Sequence, residues 1–349
     1  MKTMNNQKNQ KFKVGKLRHD TLKKIIENHI SDLEITDSRL IQGSKIGEDA
    51  AVIDMGDKYL ISKTDPITFV TDAIGYYVVN VNINDIVCMG ATPKWFQSTI
   101  LLPEKRTNNE LIEAIFKNIH DTCKEYGITV IGGHTEVTKG LNRPIIVGSL
   151  LGEVEKDKLI LTSGARPKDA IILTKGIFIE GTSIIAREKE DYLLKRGYDL
   201  NFINKCKNYL YDPGISVYKE AILATSKFDI HSMHDPTEGG LYCGIAEIAI
   251  ASGYGISIDK QMIKILPEPL ELSRIFLLNP MNTISSGSLL LTIDDNDSLE
   301  LIDNLSKKGI LGKKIGTITK HKNLIVRNES GKSEPLIYSE IDEIIKIFK

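Results

Sequence analysis

Five acidic residues stand in short polar segments between apolar runs. Asp49 lies in Gly47-Glu48-Asp49-Ala50-Ala51-Val52, Asp65 in Thr64-Asp65-Pro66, Asp85 in Asn84-Asp85, and Glu136 in Gly132-Gly133-His134-Thr135-Glu136. Asp235 opens Asp235-Pro236-Thr237-Glu238-Gly239-Gly240-Leu241, with Glu238 an outlier to the set. Taken singly, Asp49 and Asp65 read as turn-shaping residues and Asp85 as part of a solvated helix face. Taken together they offer four or more oxygen ligands, which suits Mg²⁺ bridging protein carboxylates to substrate phosphates. Gly239-Gly240 and Glu180-Gly181-Thr182-Ser183 could each open a helix and present N–H groups to phosphate. Ordinary capping uses the same residue types. His231 and His234 are three apart with no Cys or third His beside them, a poor zinc set. The chain has no Gly-x-x-x-x-Gly-Lys-Ser/Thr loop, no Gly-x-Gly-x-x-Gly after a strand and no Gly-x-Ser-x-Gly elbow.

The elements that must position these residues follow from hydrophobic periodicity. Residues 18–30 carry Leu22, Ile25, Ile26 and Ile30 at helical spacing. Short apolar runs at 50–55 and 59–61 predict buried strands on either side of a turn. Residues 78–89 predict an apolar helix closed by Gly90 and Pro93. A helix that apolar belongs in the interior, so Asn80, Asn84 and Asp85 need hydrogen-bond partners or a ligand there. Further on, 95–102 predicts a strand, 108–126 a long amphipathic helix, and 128–131 a short buried strand running into the glycines of the Gly132 segment. Residues 144–152 predict another strand. In the second half, strands are expected at 170–174, 230–233, 288–293, 316–319 and 324–326, and helices at 181–190, 213–226, 243–251 and 299–307. Asp212 would cap the second of these helices, with Pro213 in its first turn. Residues 189–211 and 266–286 read as loops that select a substrate. The pattern is α+β or α/β in both halves.

A chain of 349 residues favours two domains, and the polar stretch 153–166 before Pro167 separates them. The expected division is a basic tail at 1–16, a first domain at 17–160 and a second at 165–349. A formal net charge of −1 argues against a nucleic-acid binder. No apolar run reaches a membrane span, and the tail lacks the apolar core of a signal peptide. Cys88, Cys123, Cys206 and Cys243 are widely spaced, so reduced thiols and a cytoplasmic location are expected. Cys88, inside the apolar helix, reads as an inert core thiol.

In their order along the chain, the segments around Asp49, Asp65, Asn84-Asp85 through Met89-Gly90-Ala91, Gly132 to Glu136 and Asp235 to Leu241 resemble the aminoimidazole ribonucleotide (AIR) synthase, or PurM-like, superfamily. The resemblance spans roughly residues 17 to 320 and is closest to the HypE-type hydrogenase expression/formation branch. It implies an N-terminal α+β domain whose sheet completes a barrel with a second subunit, and a C-terminal α/β domain beside it. It further implies ATP and Mg²⁺ in a cleft between the domains, a homodimer, and no nucleic-acid or membrane partner. By the same resemblance Asp49, Asp65, Asp85 and Asp235 would hold metal, and Asp49, Asp235 and Glu136 would act in catalysis. Asp65, Asn84, Asp85, Gly132, Gly133, Thr135, Gly239 and Gly240 would contact the nucleotide.

Two departures narrow the expected reaction. HypE proteins end in a cysteine that carries the group to be dehydrated, whereas this sequence ends Ile347-Phe348-Lys349. His134 stands where the relatives place a carboxylate, and a neutral imidazole is a poor Mg²⁺ ligand, so Glu136 would take over or the metal count would fall. Selenophosphate synthase is disfavoured by the absence of a reactive Cys in the N-terminal Gly-rich region. The expected function is an ATP- and Mg²⁺-dependent enzyme that activates an amide, acyl or phosphate oxygen by phosphoryl transfer, acting on an unidentified small-molecule or protein acceptor. The alternatives are a kinase of the thiamine-monophosphate type and a non-catalytic nucleotide-binding scaffold.

Overall fold

The computed structural model describes residue 12, residues 14–34 and residues 36–348, so most of the basic tail lies outside the described residues. The first half contains α1 (His19–His29), α2 (Ser31–Glu34), β1 (Leu40–Gln42), β2 (Ala51–Asp54), β3 (Lys58–Ile67), α3 (Ile74–Cys88), β4 (Thr92–Pro103), α4 (Asn109–Glu125), β5 (Thr129–Thr138) and β6 (Ile145–Glu155). Its strands form one sheet in the order β1-β2-β3-β6-β4-β5, with β5 at an edge. Every pair is antiparallel except β4 with β5, which the α4 crossover joins in parallel. Helix α3 packs on the middle of this sheet because β6 carries glycines beneath it. A Cβ at Gly148 would lie 2.5 Å from Asn82 Nδ2, and one at Gly152 2.5 Å from Ile86.

The second half contains β7 (Ala170–Thr174), α5 (Ile179–Glu188), α6 (Glu190–Lys195), α7 (Leu200–Asn208), α8 (Tyr218–Thr225), β8 (Ile230–His234), α9 (Gly240–Ser252), β9 (Gly255–Asp259), α10 (Pro267–Ile275), β10 (Leu290–Ile293), α11 (Ser298–Lys307), β11 (Gly312–Thr319), β12 (Leu324–Arg327) and β13 (Ser333–Pro335). Its sheet runs β13-β12-β9-β11-β7-β10-β8 and is antiparallel but for β9 with β12. The chain is therefore a two-domain mixed α/β protein. Helix α3 belongs to both cores. Asn84 donates to Ile215 O at 2.9 Å and accepts from Val217 N at 2.9 Å, and Tyr77 donates to Ser183 Oγ at 2.9 Å.

Several elements differ from the sequence expectation, each for a local reason. Asp65 does not sit in a turn: β3 runs on through Pro66, whose missing N–H is tolerated beside β6, and Asp65 N donates instead to Asn82 Oδ1 at 3.1 Å. Asp85 is not on a solvated face but buried in α3. The Gly132 segment is not a turn after a short buried strand. It is the body of β5, an edge strand exposed from residue 129 to residue 137. Gly132 and Gly133 take φ of +151° and +148°, and a side chain at Gly133 would collide with Ser98 O, so the glycines let β5 lie against β4 at a register shift. Asp212, with φ −142° and ψ 113°, is extended and caps nothing; α8 starts only at Tyr218. The segments expected as loops hold α6, α7 and α10.

Candidate functional site

A cleft of about 700 Å³ opens between the domains, and its walls gather four aspartates from four elements. Asp49 comes from the loop entering β2, Asp65 from β3, Asp85 from α3, and Asp235 from the end of β8. Lys63 stands two residues from Asp65 on the same face of β3. Its Nζ lies 3.0 Å from Asp85 Oδ1 and 3.4 Å from Asp65 Oδ2. His234 bridges the far side, with Nδ1 2.7 Å from Asp49 Oδ1 and Nε2 3.0 Å from Glu247 Oε2. Thr162 Oγ donates to the other Asp49 oxygen at 3.4 Å, while Glu48 accepts from the N–H groups of Thr162 and Ser163 at 3.0 and 3.1 Å. The interdomain linker is thus fastened to the acidic loop. A narrow branch of about 50 Å³ continues from Asp65 and Phe69 to Glu180 and Ser286.

Burial drives the electrostatics. It pushes the Asp85 carboxyl well above the usual carboxylate range, against the pull of Lys63, with Asp65, Asp235 and Asp49 adding to the rise. Asp235 is likewise pushed well up by burial and by Asp49, although His234 and Lys63 oppose it. On His234 burial acts in the opposite sense, pulling it down, but Asp49 and Glu247 outweigh that and hold the imidazole protonated well above its ordinary value. Lys63 is similarly held charged by Asp85, Asp65 and Asp49 despite its burial. Asp235 is 2% exposed, and among the described residues neither of its carboxylate oxygens has a hydrogen-bond partner, nor does Asp85 Oδ2. Buried acceptors left open at this density suit a divalent cation, which would lower both carboxyls into their ionised forms. Asp49, Asp235, Asp85 and Asp65 are the residues here that could hold such a cation. The Cys88 thiol lies near Asp49 and Asp235, pushed up by burial, and is a poor partner for so hard an ion.

The structure brings Asp49, Asp65, Asp85 and Asp235 together, but separates the remaining predicted residues. Asn84 spends its amide on the main chain at 215–217. Glu136, Thr135, Gly132 and Gly133 lie along exposed β5, outside the cleft walls, with Glu136 Oε2 3.3 Å from His134 Nε2. Gly239 and Gly240 do open α9, at φ +82° and +65°, but Gly239 N–H donates to Asp342 Oδ2 at 2.7 Å and Gly240 N–H to Thr237 O at 3.0 Å. In the Glu180 segment, Thr182 Oγ donates to Phe178 O at 2.7 Å and Gly181 N–H to Ile284 O at 3.3 Å. His231 and His234 form no pair, because residues three apart on a strand face opposite sides. His231 is held by Asp169 at 2.9 Å instead. Sequence reasoning missed Lys63, Glu247, Lys16 and His19. Lys63 had a signal, its two-residue spacing from Asp65. So did Glu247, the lone acid in the apolar helix α9. Lys16 and His19 had none, since only the fold carries them across to Glu247, at 3.1 and 3.3 Å.

This two-domain architecture and its interdomain acid cluster define a protein of the AIR synthase related family, to which the chain belongs. The family's N-terminal domain matches residues 47–154 and its C-terminal domain residues 166–328. A Methanocaldococcus jannaschii protein whose name assigns it to hydrogenase expression and formation is 30% identical over 328 residues, covering 91% of this chain and 92% of its own. The phosphoribosylformylglycinamidine cyclo-ligase of Pyrococcus furiosus is 26% identical, covering 88% and 93%. The crystal structure of the hydrogenase maturation protein HypE in complex with ATP superposes with a TM-score of 0.69 over 95% of this chain and 98% of its own; at 19% identity it speaks to the fold. A cyclo-ligase is thus among the chain's relatives, and a protein solved with ATP bound shares its fold. Among the described residues no helix is long and apolar enough to cross a membrane.

Proposed function

We propose that the chain is an ATP- and Mg²⁺-dependent enzyme that activates an amide, acyl or phosphate oxygen of its acceptor by phosphoryl transfer. The observation that carries this reading is Asp235, a buried carboxylate with both oxygens open, facing Asp49, Asp85 and Lys63 across one cleft. When bound, Mg²⁺ would supply the charge that neutralises the phosphates as they react. The chain's own residues do the rest. Lys63 keeps a fixed positive charge between Asp65 and Asp85, and protonated His234 keeps Asp49 oriented from behind. Both are set by packing before any ligand arrives, the kind of preorganised charge that stabilises a developing polyanion. The decisive experiment is calorimetric titration with ATP in the presence and absence of Mg²⁺. Binding that requires Mg²⁺ and is lost in Asp235→Asn is expected; no affinity at millimolar nucleotide would sink the reading.

A homodimer built on β5 belongs to the same reading. This edge strand leaves Val130, Ile131 and Val137 50%, 51% and 54% exposed, and among the described residues no strand pairs with its outer side. A second copy seated there is what would give Glu136, Thr135 and the glycine pair a role at the nucleotide.

A further inference from the structure

We propose that His19, Cys243 and Glu247 form a second metal site, selective for a zinc-type divalent cation, that fastens helix α1 of the N-terminal segment to helix α9. One nitrogen, one sulfur and one carboxylate oxygen from these residues lie within 4.8 Å of one another, and all three side chains are buried. Cys243 and Glu247 are four apart on α9, so they rise from one face a single turn apart. His19 reaches them from the first turn of α1. It is 8% exposed; Nε2 faces Glu247 Oε1 at 3.3 Å and Nδ1 faces Glu340 Oε1 at 3.9 Å, neither as an aligned hydrogen bond among the described residues. The buried imidazole thus stands between two carboxylates and beside a thiol, with neither nitrogen committed to an aligned hydrogen bond among the described residues, so Nε2 can be given to a cation shared with Glu247 and Cys243.

The donor set decides the ion. Imidazole and thiolate favour Zn²⁺ or Co²⁺ over Mg²⁺, which takes oxygen. The Cys243 thiol is pushed up by burial and by Glu247, so the empty site keeps its proton; binding releases that proton to solvent as the S–metal bond forms. His234 Nε2 already contacts the other Glu247 oxygen at 3.0 Å, the outer contact that orients a ligating carboxylate. Lys16 Nζ, 3.1 Å from Glu247 Oε1, is the competitor, and an incoming cation must take over that oxygen from it. The site stands on its own residues whether or not the nucleotide reading holds.

Cobalt titration of the metal-free, reduced full-length chain tests this. One equivalent of Co²⁺ is expected to produce a thiolate-to-metal charge-transfer absorption that Zn²⁺ abolishes and excess Mg²⁺ leaves intact. The absorption should vanish in Cys243→Ser, weaken at least about 10-fold in affinity in His19→Ala, and persist in Cys88→Ala. Lys16→Gln, which removes no ligand, should tighten Co²⁺ binding, and Zn²⁺ should raise the melting temperature of the native chain but not of Cys243→Ser. Absence of the absorption in the native chain, its survival in Cys243→Ser, or its loss in Cys88→Ala would overturn the proposal.

Discussion

Asp235 and Lys63 show how one residue is made costly by its surroundings and useful for the same reason. A buried carboxylate with no partner is destabilising, and the fold tolerates it where a cation offsets the cost. Asp235→Asn is therefore expected to act in opposite directions on stability and binding. The metal-free melting temperature should rise by about 1–3 °C, while Mg²⁺-dependent ATP binding is lost. Differential scanning fluorimetry and calorimetry on one preparation would check both. Lys63→Met should abolish nucleotide binding as well but lower the melting temperature, because Asp85 and Asp65 lose the charge that holds them. A Lys63→Met variant as stable as the native chain would place the ammonium outside the cluster's balance.

At the scale of elements, α3 carries most of the load. Three of its four polar residues are consumed by structure: Asn80 donates to Tyr76 O at 3.0 Å, Asn82 positions Asp65, and Asn84 holds the 215–217 strand of main chain. Only Asp85 faces the cleft. Asn84→Ala leaves Ile215 O and Val217 N buried without partners, so urea unfolding should show a loss of about 2–4 kcal/mol. Edge strand β5 makes the opposite prediction, because among the described residues no strand pairs with its outer side. Ile131→Lys should leave the thermal transition of the isolated fold intact yet yield a monomer by light scattering, where the native chain is expected to be a dimer.

The whole molecule couples its stability to pH through two buried acids, Glu180 in the narrow branch of the cleft and Asp342 against the start of α9. Burial pushes Glu180 up to about 8, with Ser286 opposing, and Asp342 up to about 7 against its backbone hydrogen bonds. Both start from ordinary carboxylate values of 4.5 and 3.8. Between those values and the raised ones, the folded state keeps protons that the unfolded chain has released. Their contribution is fully present below the unfolded values and is lost as pH rises through about 7 to 8, with a slope of up to about 1.4 kcal/mol per pH unit per group. Urea midpoints should fall from pH about 5 to pH about 8, and Glu180→Gln should flatten the fall. An equal slope in that variant would show that Glu180 is not the group responsible.

The sequence alone determined the two-domain plan, the apolar helix with its polar residues, and the four aspartates, because each leaves a local mark: periodicity, a charge amid apolar residues, a glycine-rich break. It also set which oxygens were available. What it left open was partnership. Asp65 read as a turn because Lys63, Thr64 and Pro66 interrupt the apolar run, and only pairing with β6 shows the strand continuing. Gly239-Gly240 read as a phosphate cradle because the occupant of its N–H, Asp342, is 103 residues away. Asn84 read as a nucleotide contact, but the main chain it binds lies 133 residues on, at Val217. Local propensity and spacing act over a few residues, whereas the fate of a buried polar group depends on whatever the fold sets against it. That is why the tertiary structure alone decided which aspartates converge, that Lys63 and His234 serve them, and that His19 meets Cys243 and Glu247.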